Sequence, residues 1–203
     1  MLKPVRILPT FFILALTASC QKDKEMPEPT VAPPVQEANV SFTYTYPGEN
    51  KGQTFLAYAP TGKLSSDKLT LVFEKEARPN GLGTEERVDF LLPKSKHKNG
   101  LVGMYTLSSQ PDPGQGDMLV TYERPPYAPG VFLNKYSGNT HVVEGSFIIT
   151  EYNVGRQLIS GSYIFTIRNT KDPYVYLATG SGADVRRDCT IKGYGTFKEI
   201  PLL

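Results

Sequence analysis

The stretch that decides the fold is residues 145–169, GSFIITEYNVGRQLISGSYIFTIRN. It contains two nine-residue segments, 145–153 and 161–169, that share five identical positions. Within each segment large apolar side chains alternate with small or polar ones, which is the period of a β-strand. The residues around Gly155 between the segments are typical of a turn. We therefore predict an antiparallel hairpin here, although convergence on good strand sequence would also explain the likeness of the two segments.

The same alternation recurs along much of the chain, and the 18 glycines and 17 prolines supply frequent turns. No long window shows the apolar stripe of an amphipathic helix. Short strands separated in this way are typical of a sandwich or a barrel. We predict an all-β protein, an antiparallel β-sandwich of roughly ten strands, with a partly open barrel as the alternative. The other predicted strands include residues 40–46, 69–73, 87–92, 118–122, 131–136 and 195–200.

Composition excludes several classes of protein. The chain of 203 residues has two cysteines, two histidines and no tryptophan, too few for a cysteine-rich zinc module or a scaffold of several disulfides. The formal net charge of +2 is close to neutral. Nucleic-acid binding depends on clustered basic side chains, so we expect no nucleic-acid partner. Residues 39–203 are enough to bury a core of their own.

The first 19 residues have the anatomy of a secretory signal peptide. Lys3 and Arg6 precede an apolar stretch over residues 7–16, and small residues follow at 17–19. The apolar stretch is about half of the roughly 20 residues that span a bilayer, so a retained transmembrane helix is the weaker interpretation. We expect this segment to be removed from the mature protein.

Cys20 follows the signal segment directly. Residues 16–20, LTASC, resemble a bacterial lipobox, although Thr17 stands where that motif usually has Leu, Val or Ile. The resemblance implies that Cys20 is acylated and becomes the first residue of the mature protein, anchored by several acyl chains. An ordinary cleaved signal peptide with an incidental cysteine is the alternative. No other cofactor or prosthetic group is predicted.

Residues 20–38 are predicted to be a tether between the anchor and the domain. Its first charged residues resemble the export signal that follows the lipidated cysteine in Bacteroidota lipoproteins; a solvated charge run is the alternative. Four prolines then favour an extended spacer, and a proline-rich ligand for a partner domain is the other interpretation. The four residues of the possible export signal are Lys22, Asp23, Lys24 and Glu25.

The domain itself resembles a group of uncharacterised β-sandwich lipoproteins from Bacteroidota. The resemblance is carried by residues 145–153, 159–166 and 195–197 and by the Gly-x-Tyr-x-Leu pattern within 100–107. It covers about half of the domain and implies a β-sandwich of the outer membrane. The group has no established activity, so the resemblance transfers no catalytic residue.

Few residues suggest chemistry. His97 and His141 lack the spacing of metal ligands, and no nucleophile elbow or phosphate-binding glycine loop is present. Cys189 follows two arginines that would favour a thiolate, but a partly buried strand residue without a partner is the preferred interpretation. Acidic residues occur in three groups that could serve a glycosidase or lie on the outer faces of strands. These are Glu74 and Glu76; Glu85, Glu86 and Asp89; and Asp184 and Asp188.

Several tyrosines lie near loops or prolines. If exposed, they could stack on sugar rings, whereas packing within strands would explain them without a ligand. The lack of tryptophan counts against a sugar platform. The tyrosines concerned are Tyr122, Tyr127, Tyr136, Tyr174 and Tyr176.

Together these features predict a membrane-anchored lipoprotein of the cell envelope that is not an enzyme. We expect it to bind a protein or glycan through loops at one end of the sandwich, or to serve as an accessory subunit of an outer-membrane assembly. The alternative is a secreted glycan-active hydrolase with dispersed carboxylates. We expect no metal and an outer-membrane location, on either the cell-surface or the periplasmic side.

Overall fold

The structure is a computed structural model that describes residues 35–76, 86–108, 116–124, 133–175 and 182–203. These residues form eleven strands, one short 3-10 helix at Lys94–Lys96 and no α-helix. Every strand pairs antiparallel with its neighbours. The strands are β1 (Glu37–Tyr46), β2 (Glu49–Leu56), β3 (Tyr58–Leu64), β4 (Lys68–Glu74), β5 (Arg87–Pro93), β6 (Gly103–Ser108), β7 (Leu119–Arg124), β8 (Asn134–Ser137), β9 (Val142–Asn153), β10 (Leu158–Lys171) and β11 (Asp188–Pro201).

The strands are arranged in two sheets. The six-stranded sheet has the order β2-β1-β11-β10-β9-β6, and the five-stranded sheet has the order β3-β4-β5-β7-β8. The predicted all-β, antiparallel class is confirmed. The two sheets are not closed into a barrel, and among the described residues isolated bridges join Gly62 to Leu202 and Leu107 to Met118.

The hairpin predicted from residues 145–169 is present as β9 and β10. Leu158 pairs with Asn153 at the turn, and Phe147 pairs with Tyr163 near the middle of the two strands. The polar sequence of β2 and the turn-like sequence of β3 gave no clear alternation. These strands form because β1 and β4 offer them unpaired edges.

The core between the sheets is largely aromatic. Phe73 of the five-stranded sheet stacks on Tyr163 of the other sheet, with ring centroids 5.8 Å apart. The ring centroids of Phe90 and Phe147 lie 4.8 Å apart in the same layer. Side chains on the inner faces of both sheets are buried, as period-two alternation requires.

Glycines on the inner face of the six-stranded sheet make room for these rings. A Cβ at Gly195 would lie 2.7 Å from the Tyr163 hydroxyl oxygen. Gly145 has a φ of +148°, and a Cβ there would overlap the carbonyl group of Ile164. The glycines of the predicted motifs therefore allow close approach of a neighbouring strand or ring.

No helix within the described parts of the chain is long and apolar enough to cross a membrane.

Candidate functional site

A groove of about 560 Å³ lies on the outer face of the six-stranded sheet. We call it the outer-face groove. It crosses β1, β11, β10 and β9, and its wall is built from side chains that alternate with the core residues of those strands. The lining residues are Asn39, Ser41, Ser146, Ile148, Ser162, Tyr163, Ile164, Lys192, Tyr194, Gly195 and Thr196.

Strand register places an apolar platform at the centre of the groove. Tyr194 lies directly opposite Ile164, and these side chains are 44% and 42% exposed. Ser41 flanks Tyr194 on its other side, in β1. An exposed aromatic ring beside an exposed aliphatic side chain is a surface that gains free energy when a ligand covers it.

The two similar segments of the hairpin contribute matching pairs to the groove. Ser146 lies opposite Ile164, and Ile148 lies opposite Ser162. Each segment thus supplies a serine at its second position and an isoleucine at its fourth. Antiparallel pairing arranges these four residues so that hydroxyl and apolar side chains alternate on the sheet face.

The polar groups of the groove are largely available to a ligand. Among the described residues, the side chains of Ser146, Ser162 and Thr196 have no hydrogen-bond partner, and Lys192 has no ion pair. The Ser41 hydroxyl pairs with Thr54 at 2.9 Å, and the Asn39 amide donates to Glu37. The hydroxyl groups of the half-buried Ser146 and Ser162 and of the exposed Thr196 therefore favour a ligand that supplies hydrogen bonds.

Tyr163 adds a buried polar group beneath the groove. Its ring belongs to the core, only 4% of the residue is exposed, and its hydroxyl group has no hydrogen-bond partner among the described residues. Burial raises the pKa of this phenol well above its usual value, so the group stays protonated. The hydroxyl abuts Gly195, which also lines the groove.

A second polar cluster lies inside the sandwich, between β1 and β7. Glu86, just before β5, forms an ion pair with Arg124, and both side chains are almost completely buried. The hydroxyl groups of Tyr44 and Tyr122 donate to the same carboxylate oxygen at 3.2 and 3.1 Å. Tyr174 lies against the other side of the guanidinium group, with its ring centroid 4.1 Å from Arg124 Cζ.

Burial dominates the electrostatics of this second cluster. It raises the pKa of Glu86, and the opposing attraction of Arg124 offsets only part of that effect. The pKa values of Tyr44 and Tyr122 are raised for the same reason. Glu86 has no exposed surface and Arg124 is only 7% exposed, so the cluster joins the two sheets in the interior of the sandwich.

The predicted lipidation and export residues lie outside the described residues. This applies to Cys20 and to Lys22, Asp23, Lys24 and Glu25. The signal segment and most of the tether are also outside, and β1 already begins at Glu37, two residues before the predicted start of the domain.

The two histidines lie outside the strands, and Cys189 lies in β11. His97 follows the 3-10 helix and His141 precedes β9, and the hydrogen bonds of each with the described residues are local. Cys189 is buried and lies 3.1 Å from the Thr170 hydroxyl. Burial raises the pKa of this thiol despite the nearby Arg186, so its thiolate is disfavoured. Across the described ranges no group of three His, Cys, Asp or Glu side chains is placed to hold a metal ion.

The acidic groups are mostly engaged in ion pairs. Asp89 pairs with Arg87 at 2.7 Å, and Asp188 pairs with Lys171 at 2.7 Å. Asp184 binds Arg186, which lowers the pKa of the carboxyl group to about 2. Glu85 lies outside the described residues. None of the described residues that line the outer-face groove carries a carboxylate.

The structure describes three of the five tyrosines for which packing and a sugar platform were the alternative interpretations. Tyr122 and Tyr136 are buried in the core and Tyr174 is half-buried, so packing is the correct interpretation for the first two. Tyr127 and Tyr176 lie outside the described residues. Sequence reasoning missed Tyr194, which is exposed on a sheet face. The available signal was that Ile148 and Ile164 are apolar on faces where the alternation predicts polar residues.

In comparisons with known proteins, no family model matches the chain, and no curated protein or solved structure matches it.

Proposed function

We propose that this protein is a lipid-anchored protein of the bacterial outer membrane whose β-sandwich binds a glycan in the outer-face groove without chemically changing it. The observation that carries the proposal is the exposed pair of Tyr194 and Ile164 surrounded by uncommitted hydroxyl groups. A sugar ring has a face of C–H groups and a rim of hydroxyls. It therefore matches an apolar platform with hydrogen-bonding side chains at its margin.

A binding function suits the groove better than the alternative of a glycan-active hydrolase. Hydrolysis of a glycosidic bond ordinarily needs two carboxyl groups that face each other across the sugar. The groove supplies one cation, Lys192, and neutral polar groups from its described residues. The buried Glu86 already accepts hydrogen bonds from Arg124 and Tyr122 and faces the core.

The sequence supports the anchor. A positively charged and apolar leader precedes the lipobox-like residues 16–20, and a proline-rich spacer follows. Cys20→Ser is expected to move the protein from the membrane fraction to the soluble fraction, and mass spectrometry is expected to find acyl chains on Cys20 of the natural protein. Continued membrane attachment of the Cys20→Ser protein would contradict the anchor.

The side of the membrane is testable by protease treatment of intact cells. If Lys22 to Glu25 act as an export signal, the domain is cut from whole cells. Replacing all four residues by alanine should then leave the domain protected until the outer membrane is opened. Protection of the natural protein in intact cells would indicate the periplasmic side. Lys22 to Glu25 would then be a solvated charge run and not an export signal.

The absence of tryptophan allows a direct test of glycan binding. Tyr194→Trp places a single tryptophan in the groove, and its fluorescence reports on a ligand that covers the ring. The matched control is Tyr58→Trp, since Tyr58 is 55% exposed on the other sheet. We expect soluble oligosaccharides of the envelope and its surroundings to change the emission of the first variant alone.

Both variants should be made in the chain that starts at residue 20 and carries Cys20→Ser, so that the anchor does not interfere. Ser162→Phe would fill the groove and is expected to abolish the response in a Tyr194→Trp background. A panel of neutral and acidic oligosaccharides that leaves the Tyr194→Trp emission unchanged at millimolar concentrations would overturn glycan binding.

A further inference from the structure

We infer that the glycan bound in the outer-face groove is acidic: a sugar ring packs on Tyr194 and Ile164 while a carboxylate of the glycan pairs with Lys192. This inference rests on the proposed glycan-binding function and names the class of sugar that the groove accepts.

Strand pairing places the apolar platform at the middle of the sheet face. Ile164 and Tyr194 are adjacent across β10 and β11, and Ser41 lies beyond Tyr194 in β1. A ring stacked on Tyr194 would therefore have hydroxyl groups of the protein on the β1 side and apolar surface on the β10 side. This arrangement fixes one sugar unit at the middle of the sheet face.

The groove carries a positive charge on Lys192. Lys192 is the only ionised side chain among its described lining residues, and it makes no ion pair with the part of the chain that the structure describes. It precedes Tyr194 by two residues, so both side chains lie on the same face of β11, separated by about 7 Å along the strand. The flexible side chain of Lys192 can therefore reach a carboxylate carried by the sugar on Tyr194.

The residues directly opposite Lys192 on the neighbouring strands are uncharged. Thr43 and Thr166 lie opposite it on the neighbouring strands. The nearest carboxylate along this row is Glu144, which is opposite Thr166 and is engaged with Arg168. The positive charge of Lys192 is thus not neutralised by its neighbours, and it complements a negative charge on the ligand.

The groove is long enough for more than one sugar unit. The groove extends over four adjacent strands, which spans about 14 Å at the usual strand separation. Its volume of about 560 Å³ lies within the range of small-molecule sites. Ser162 and Thr196, which lie opposite each other, then provide hydrogen bonds to the next sugar unit.

The experiment compares acidic oligosaccharides with their uncharged counterparts. Tetramers of galacturonate, mannuronate and glucuronate are titrated into the Tyr194→Trp protein, together with the same tetramers after reduction of each carboxyl group to an alcohol. Because an exposed ion pair contributes up to about 1 kcal/mol, we expect at least one acidic tetramer to bind about fivefold more tightly than its reduced form at low ionic strength. Salt should diminish this difference.

Variants of Lys192 test the origin of the preference. Lys192→Met is expected to remove the difference between the acidic and reduced tetramers, whereas Lys192→Arg should preserve it. The matched control is Lys68→Met, which removes the same charge from an exposed position in β4. Loss of the preference in the control as well would show that net charge, not the groove, attracts the acid.

The remaining outcomes separate the two proposals. Equal binding of every acidic tetramer and its reduced form would overturn the inference but leave glycan binding intact. Binding of neutral oligosaccharides alone would do the same. A response to a peptide of residues 21–34 and to no oligosaccharide would overturn both, because the groove would then accept the chain's own tether.

Discussion

Arg124 and Glu86 form an ion pair inside the sandwich, with 8% and none of their side chains exposed, respectively. Removing two charges from water costs free energy that their attraction and hydrogen bonds must offset. Here two tyrosine hydroxyls and the face of Tyr174 assist the pair. Glu86 directly precedes β5 and Arg124 ends β7, so the pair holds these neighbouring strands in one register.

Breaking this pair from one side should be strongly destabilising. Arg124→Met leaves a buried carboxylate without its cation, and we expect the free energy of unfolding to fall by about 3–5 kcal/mol. Urea unfolding measures the change. The double variant Glu86→Gln/Arg124→Met should recover part of the loss. Lys135→Met, which removes the exposed lysine of the ion pair with Glu123, is the control and should cost less than about 1 kcal/mol.

The raised pKa of Glu86 predicts that the free energy of unfolding depends on pH. The folded pKa of Glu86 is raised above the usual value of 4.5, so the folded state holds a proton that the unfolded state has already released. The contribution of this group is therefore complete below pH 4.5 and is lost as the pH rises through the folded pKa. The stability of the natural protein relative to Glu86→Gln should decline across this range. A difference that grows with pH would contradict the raised pKa.

Gly145 offers a test of the close approach between strands. Gly145→Ala would place a methyl group against the backbone of Ile164 at a φ that L-residues rarely adopt. We expect a loss of about 1–3 kcal/mol in the free energy of unfolding. Gly182→Ala is the matched control, because a Cβ at that position meets no atom within 4 Å. Equal melting temperatures for the two variants would show that the strands move apart easily.

Cys189 should be unreactive in the folded protein. In the Cys20→Ser chain it is the only thiol, and it is 6% exposed with a raised pKa. A thiol reagent is expected to modify it slowly under native conditions and fully in denaturant. Rapid modification at neutral pH would contradict the buried position and restore the interpretation of Cys189 as a nucleophile.

The fold was predictable where one face of a strand is consistently apolar. Residues 40–46 and the hairpin of 145–169 show this alternation, and both form long paired strands. The sequence ENKGQTFL of β2 carries no such pattern, because this strand lies at the edge of the sheet and is mostly exposed. Its existence depends on pairing with β1, which a local pattern cannot reveal.

The candidate site was harder to predict than the fold. Ile148 and Ile164 are visible as apolar residues on otherwise polar faces, but their contact with Tyr194 depends on which strands are neighbours. β11 lies between β1 and β10, so Tyr194 meets residues that are far away in the sequence. The buried pair of Glu86 and Arg124 depends in the same way on the pairing of β5 with β7.

The position of β11 also determines the order in which the sandwich can assemble. Glu37 pairs with Lys198, so the inner edge of β1 has no partner until nearly all of the chain has been synthesised. At usual rates of synthesis this delay is roughly 10–30 s. During that time the aromatic face of β1 is open to other chains, and the unpaired edge of β10 is exposed as well once β10 has been made. The newly made protein therefore needs protection from aggregation until β11 has been synthesised and has paired with β1 and β10.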